Sequence, residues 1–270
     1  MTENPEDMVL LDADETGVAT VTLNRPHLHN AFNADVIERL ADIWDDLDKQ
    51  DGIRVVVVRA NGRSFCAGGD LNWMKAAALY TYDQNLEDAQ GLAEMLHRLD
   101  RLSKPTIALV HGNCFAGGVG VVAACDVAVA VQGVQFALTE VKLGLVPATI
   151  SPYVVRAMGA RQARRYMLTA ERFDTDVAHR AGLVHEVVTD SVALQTARDR
   201  LVADFLNAAP GALTATKDLL DNVVDREIDD ELMALTARAI ADARATEEGQ
   251  EGLASFLEKR RPSWVRGGEG

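Results

Sequence analysis

The sequence predicts an α/β fold whose last third is helical, and three features carry that prediction. Residues 104–126, KPTIALVHGNCFAGGVGVVAACD, pass from a short β-branched run through glycines into an apolar, alanine-rich segment, the pattern of a buried strand, a glycine turn and a buried helix. Residues 55–71 repeat the device, with Val55, Val56, Val57 and Val58 leading into GRSFCAGGDL; a continuous β-branched run marks a strand covered on both faces. Beyond residue 190 the apolar side chains fall at helical spacing instead.

In chain order, Val9, Leu10 and Leu11 pair with residues 18–23 across a turn at residues 14–17, and Asn24-Arg25-Pro26 ends the hairpin. Ile37, Leu40, Trp44 and Leu47 share one helix face, closed by Gly52. A short strand carrying Phe136 and Leu138 precedes Glu140, and residues 182–188 give the last strand of the core. Leu194, Ala197, Leu201 and Phe205 form a helix that Pro210-Gly211 breaks; Leu213, Leu219, Leu220 and Val223 mark a second, and residues 232–243 a third. Short amphipathic helices of this kind cover the core or a neighbouring copy, which predicts a homo-oligomer.

Composition excludes several classes. The 270 residues carry a formal charge of −14 with acid and base interspersed, which argues against nucleic acid or an anionic membrane as partner. Cys66, Cys114 and Cys125 form no CxxC pair and read as buried thiols of a reducing compartment. With no apolar leader at residues 1–8 and no bilayer-length run, the expected location is cytoplasmic. His27 and His29 read as loop residues, and no metal is expected because no HExxH or Cys/His cluster accompanies them. Gly112 and Gly117 have P-loop spacing, but Gly118 stands where the lysine belongs; the looser dinucleotide pattern from Gly118 is followed by a run ending in Gln132 rather than an acid. No GxSxG is present.

What remains is backbone chemistry. A glycine turn opening a helix leaves unpaired N–H groups and no side chains in a ligand's way, although the same glycines also allow close helix packing. If the strands at Val55 and Thr106 are neighbours, their two loops aim N–H donors at one point, an oxyanion hole. Asp70 is either an active-site acid or the cap of the next helix. Glu140 stands out only for its company.

SFCAGGDL (residues 64–71), HGNCFAGGVG with the following ACD (residues 111–126), FALTEVKLGLVP (residues 136–147), FLEKRRPSW (residues 256–264) and LNRPHLHNAF (residues 23–32) together resemble the crotonase superfamily, the enoyl-CoA hydratase and isomerase group. The resemblance implies a crotonase-like spiral of ββα repeats over residues 1–190, a helical C-terminal oligomerisation region over residues 191–270, and a homotrimer or hexamer. It implies an acyl-CoA substrate and no separate cofactor, coenzyme A being part of the substrate. It assigns the oxyanion donors to Ala67 and Gly117, proton transfer to Glu140, and coenzyme A contacts to Ala67, Gly68, Gly69, Asp70, Arg25, His29 and Lys259. The hydratases' first glutamate falls on Gly120, so two-carboxylate hydration does not transfer directly. Residues 141–173 resemble the hydratases of methylglutaconyl-CoA and similar branched, carboxylated enoyl-CoAs of leucine and terpene breakdown, which implies a hydratase. A delta isomerase using Glu140 as sole base and a non-catalytic acyl-CoA binder or scaffold are the alternatives. Lys142 is the nearest cation in sequence for a distal carboxylate on such a substrate, or else a solvent-facing side chain.

Overall fold

A computed structural model describes residues 4–265; the ends of the expected 1–190 and 191–270 regions, and the first residues of the stretch 1–8, lie outside them. The strands are β1 (Val9–Ala13), β2 (Val18–Leu23), β3 (Val55–Ala60), β4 (Ser64–Cys66), β5 (Thr106–Val110), β6 (Asn113–Phe115), β7 (Val127–Val131), β8 (Gln135–Ala137), β9 (Phe173–Asp174) and β10 (Glu186–Val188). The helices are α1 (Pro5–Met8), α2 (Ala34–Asp48), α3 (Leu71–Ala77), α4 (Tyr82–Asp100), α5 (Gly117–Ala124), α6 (Ser151–Thr169), α7 (Thr175–Arg180), α8 (Ser191–Asn207), α9 (Pro210–Val223), α10 (Asp230–Ala245) and α11 (Glu247–Glu258). Short 3-10 turns occupy Pro26–Leu28 and Glu140–Leu143.

Two sheets result. The larger has the order β1-β2-β3-β5-β7-β10, and the smaller β4-β6-β8-β9. Only the β1–β2 and β8–β9 pairs are antiparallel; every other pair is parallel. The chain therefore climbs as a spiral, each turn adding one strand to each sheet before a helix returns it. Parallel strands require such crossovers, and the valine-rich β3 and β5 are buried because both faces of the larger sheet are covered. The predicted neighbours at Val55 and Thr106 do pair, Val56 lying opposite Thr106.

Ile37, Leu40, Trp44 and Leu47 are buried on one face of α2, which ends at Asp48, short of the expected stop at Gly52. The opposite face of the sheet is covered by α8, whose Leu194, Ala197 and Val202 join Val55, Val57, Ile107 and Leu109 in a second apolar cluster. Asp190 caps α8 at its first turn, accepting from the N–H groups of Val192 and Ala193. Helix α8 is thus a layer of the core, and the helices that extend beyond it are α9, α10 and α11. Pro210 starts α9 at its first helical positions rather than merely breaking α8, as proline's fixed φ allows. Among the described residues no helix is long and apolar enough to cross a membrane.

Helix α5 sits directly on β4. A Cβ at Gly118 would lie 2.6 Å from the Cys66 Cβ and 3.2 Å from the Cys114 Sγ, so the absent side chain lets helix and sheet meet. Substituting Gly118→Ala is expected to cost about 1–3 kcal/mol through overpacking, read as a lower thermal midpoint with the far-UV signal of the folded protein retained.

Candidate active site

Three parallel strands of the small sheet, β4, β6 and β8, end at one edge, and the loops that follow carry Ala67, Gly68 and Gly69, then Ala116 and Gly117, then Glu140. The two glycine loops touch. A Cβ at Gly68 would stand 3.2 Å from the Ala116 Cβ. Phe32 joins them: its ring lies 3.1 Å from the Cβ position of Gly117, and its backbone forms a parallel bridge with Gly69.

That bridge decides which donors are left over. Phe32 N–H donates to the Gly68 carbonyl at 2.8 Å and Asp70 N–H donates to the Phe32 carbonyl at 2.8 Å. In a parallel bridge the central residue's own N–H points to the other side, so Gly69 presents its donor away from Phe32. Ala67 N–H, in contrast, donates to the His29 carbonyl at 3.0 Å. The donor expected from Ala67 is therefore occupied, and the loop offers that of Gly69, two residues on.

Gly117 is the first residue of α5, where an N–H has no intrahelical acceptor. Ala116 before it holds φ 48° and ψ −119°, a conformation that strains a residue with a Cβ by about 1–3 kcal/mol. Backbone bonds on both sides hold it there: Ala116 N–H donates to the Ala137 carbonyl at 2.9 Å, and the Ala116 carbonyl accepts from Val119 at 2.9 Å. The strained residue turns the chain from β6 into α5 and sets the direction of the Gly117 donor.

Glu140 opens the 3-10 turn after β8. Its Oε2 is buried without a hydrogen-bond partner, and burial raises its pKa above the ordinary glutamate value, a hydrogen bond from its own N–H offsetting this only in part. A shift in this direction moves a carboxyl toward the range in which general acid–base exchange is efficient. Gly120 does not merely lack the first acid. A Cβ there would lie 2.4 Å from the Ile150 Cγ2 and 3.5 Å from the Leu96 Cδ1, so buried aliphatic groups fill the position.

The other expected site residues have structural tasks. The side chains of Arg25 and Asp70 face each other in a buried ion pair at 3.1 Å. Asp70 Oδ1 also accepts from Asn72 N–H at 2.7 Å and caps α3. Burial alone would raise the Asp70 carboxyl, but its bonds from Asn72, Trp73 and Arg25 hold it below the usual range. The His29 ring lies 3.2 Å from Ser64 Oγ through Nδ1, and its carbonyl is the one Ala67 engages. Lys142, an exposed residue, donates to the Ala170 carbonyl at 2.8 Å and ties the Glu140 turn to the end of α6. Lys259 is an exposed residue in left-handed conformation at the end of α11, with no side-chain hydrogen bond among the described residues. Cys66 is fully buried and burial pushes its thiol to about 12, which removes it as a nucleophile. A groove of about 600 Å³ between α2 and α4 is lined by Glu38, Glu87 and Arg98 but not by these loops.

Against known proteins, the family model described as enoyl-CoA hydratase/isomerase matches residues 13–267. The chain belongs to the enoyl-CoA hydratase/isomerase family. The crystal structure of an enoyl-CoA hydratase from Shewanella pealeana is 41% identical, covers 95% of this chain and 96% of its own, and superposes with a TM-score of 0.92. A short-chain-enoyl-CoA hydratase of Clostridium acetobutylicum is 30% identical over 92% of this chain and 94% of its own length. A mitochondrial Delta(3,5)-Delta(2,4)-dienoyl-CoA isomerase of Dictyostelium discoideum is also 30% identical, over 92% of this chain and 88% of its own. The spiral of ββα repeats followed by a helical C-terminal region is thus the fold of this family.

Two results are expected from these contacts. Gly120→Glu does not install a working second acid, because its Cβ meets Ile150; it lowers the thermal midpoint and leaves kcat no higher. For Glu140→Gln the sign follows from the raised pKa: the carboxyl favours folding below its unfolded pKa, and that contribution is lost as pH rises through the folded value. The substitution therefore raises the melting temperature at pH 8 and not at pH 4, measured by calorimetry at both.

Proposed function

We infer that this protein is an enoyl-CoA hydratase that adds water to a 2-enoyl-CoA thioester with Glu140 as its single carboxylate. The carrying observation is the buried, unpartnered Oε2 of Glu140, on the loop beside two glycine turns whose Gly69 and Gly117 N–H groups stand available. In this reading the thioester oxygen sits on those two donors. Glu140 takes a proton from water as the water oxygen bonds to C3. The electron pair of the C2–C3 double bond moves toward the thioester oxygen, forming an enolate that the donors hold. Protonated Glu140 then returns the proton to C2, so one water is added and the enzyme is unchanged.

The acyl group we propose is branched and carboxylated, 3-methylglutaconyl-CoA being the example to test, on the resemblance carried by residues 141–173. A delta isomerase is the second reading, favoured by the aliphatic filling at Gly120, since moving a proton between C2 and C4 needs one base and no water. A non-catalytic acyl-CoA binder is disfavoured because burying a carboxylate without a partner costs stability and gives a mere binder nothing. The assembly we propose is a homotrimer or a hexamer, supported by side chains left bare on the C-terminal helices and the turn before α10, Ile228 82% exposed and Phe256 80%.

The test follows the enoyl-thioester absorbance with 3-methylglutaconyl-CoA, crotonyl-CoA and a 3-enoyl-CoA. Loss of conjugation from the first two, reduced by about a hundredfold to ten-thousandfold in Glu140→Gln, is the expected result. A gain of conjugation from the 3-enoyl substrate alone replaces hydratase with isomerase, and no change with any substrate leaves the binder. For the assembly, light scattering is expected to give three or six times 29.2 kDa, and a monomeric mass at micromolar concentration overturns it.

A further inference from the structure

We propose that the buried Arg25–Asp70 ion pair is a positioning device for the reaction, which fixes the direction of the Gly69 N–H donor. The pair spans the bridge from both sides. Arg25 donates through one terminal nitrogen to the Ala31 carbonyl at 2.8 Å, immediately before Phe32, and through the other to Asp70 Oδ2 at 3.1 Å, immediately after Gly69. One planar guanidinium thus ties together the two strands of the Phe32–Gly69 bridge, which is isolated from both sheets and has only its two backbone hydrogen bonds otherwise. A guanidinium suits this task because its donors are held in a rigid plane, whereas a lysine ammonium offers no fixed fork.

The remaining contacts make the clamp stiff. Asp70 Oδ1 is held by Asn72 N–H at 2.7 Å, so the carboxylate cannot turn without uncapping α3. Arg25 N–H donates to Asn30 Oδ1 at 2.8 Å, and the Asn30 amide donates to the Asn61 carbonyl at 2.8 Å and the Ser64 carbonyl at 2.9 Å. The clamp is therefore referenced to the chain leaving β3 and entering β4. Neither charged group has surface to offer a ligand, both being buried, so their effect reaches the thioester only through the backbone of Gly69. Donor direction matters because a hydrogen bond weakens steeply as its angle falls toward about 120°.

The inference rests on Gly69 N–H being an oxyanion donor, and the experiment separates the two. Acetoacetyl-CoA is titrated into the full-length protein, its enolate followed by near-UV absorbance, alongside binding of a saturated acyl-CoA by calorimetry. The variants are Arg25→Lys, Asp70→Asn, and the neutral pair Arg25→Met with Asp70→Asn, which keeps the α3 cap and removes both charges of the pair. Wild type is expected to bind the enolate. The variants are expected to lose about tenfold to a hundredfold of the enolate band and of kcat, in line with a misaimed rather than deleted donor, while saturated acyl-CoA affinity changes less than threefold. If wild type shows no enolate, the oxyanion reading of Gly69 falls. If wild type shows it and the folded neutral pair retains the band and kcat, the positioning role is overturned. An equal loss of saturated-ligand affinity also overturns it, since the pair would then be serving coenzyme A binding or local folding.

Discussion

The parallel bridge between Phe32 and Gly69 is the constraint on which the rest of the site depends. Its two hydrogen bonds use the N–H groups of Phe32 and Asp70 and leave that of Gly69 outward, while the Phe32 ring rests at the second donor, Gly117. Both backbone donors are thus referenced to one aromatic residue that neither loop contains. The hairpin-to-α2 loop that carries Phe32 passes through left-handed conformations at His29 and Asn30, with φ 52° and 57°, and such a path persists only when its surroundings over-determine it. Here the Asn30 amide and the His29 carbonyl provide the restraint. A buried, satisfied polar network of this kind rigidifies what it surrounds.

Electrostatically the site separates a rigid polar side from an apolar one. Backbone dipoles occupy the edge formed by the ends of β4 and β6, whereas Ile150 and Leu96 close in on Gly120. Glu140 stands at the end of the neighbouring strand with one oxygen unsatisfied. Desolvation is the largest influence on its carboxyl, and the same loss of water strengthens any hydrogen bond from fixed N–H groups. A second carboxylate at Gly120 would have added a charge to this environment; aliphatic groups fill the position instead.

Much of this was legible in the sequence, and the parts that were not share a cause. β3 and β5 announce themselves because a strand covered on both faces must be continuously apolar, and α2 because one face is buried. Strands β4, β6 and β8 have three residues each; only β8 registered, through the alternation at Phe136 and Leu138, and a second sheet joining the three came only with the resemblance. The gap at Gly120 was visible, but Ile150, 30 positions on, gave no sign that it fills the space. That the Ala67 N–H is taken up by His29 while the Gly69 N–H is left outward was not legible, because the bridge involved pairs residues 37 apart. The charges of Arg25 and Asp70 pair with each other, and Lys142 reaches the Ala170 carbonyl, partners that lie far from them in sequence. Charge is readable from a sequence; whether it is already spent on the fold is a tertiary fact.

The helical end of the chain divides by the same logic of what is satisfied. Helix α8 buries Leu194, Ala197 and Val202 against the larger sheet and completes the second face that parallel strands need. Helix α9 instead meets the core through polar groups: Lys217 donates to Asp126 at 2.7 Å, and Thr214 to the Ser103 carbonyl at 2.9 Å. Asp126 is in turn anchored by Thr106 N–H at 2.8 Å, at the start of β5. Hydrogen bonds fix the orientation of α9 without using up apolar surface, so Leu220 and Val224 at its end stay exposed, as do Ile240 on α10 and Leu253 on α11. Two polar anchors thus set how α9 lies on the core while these apolar side chains stay outside it.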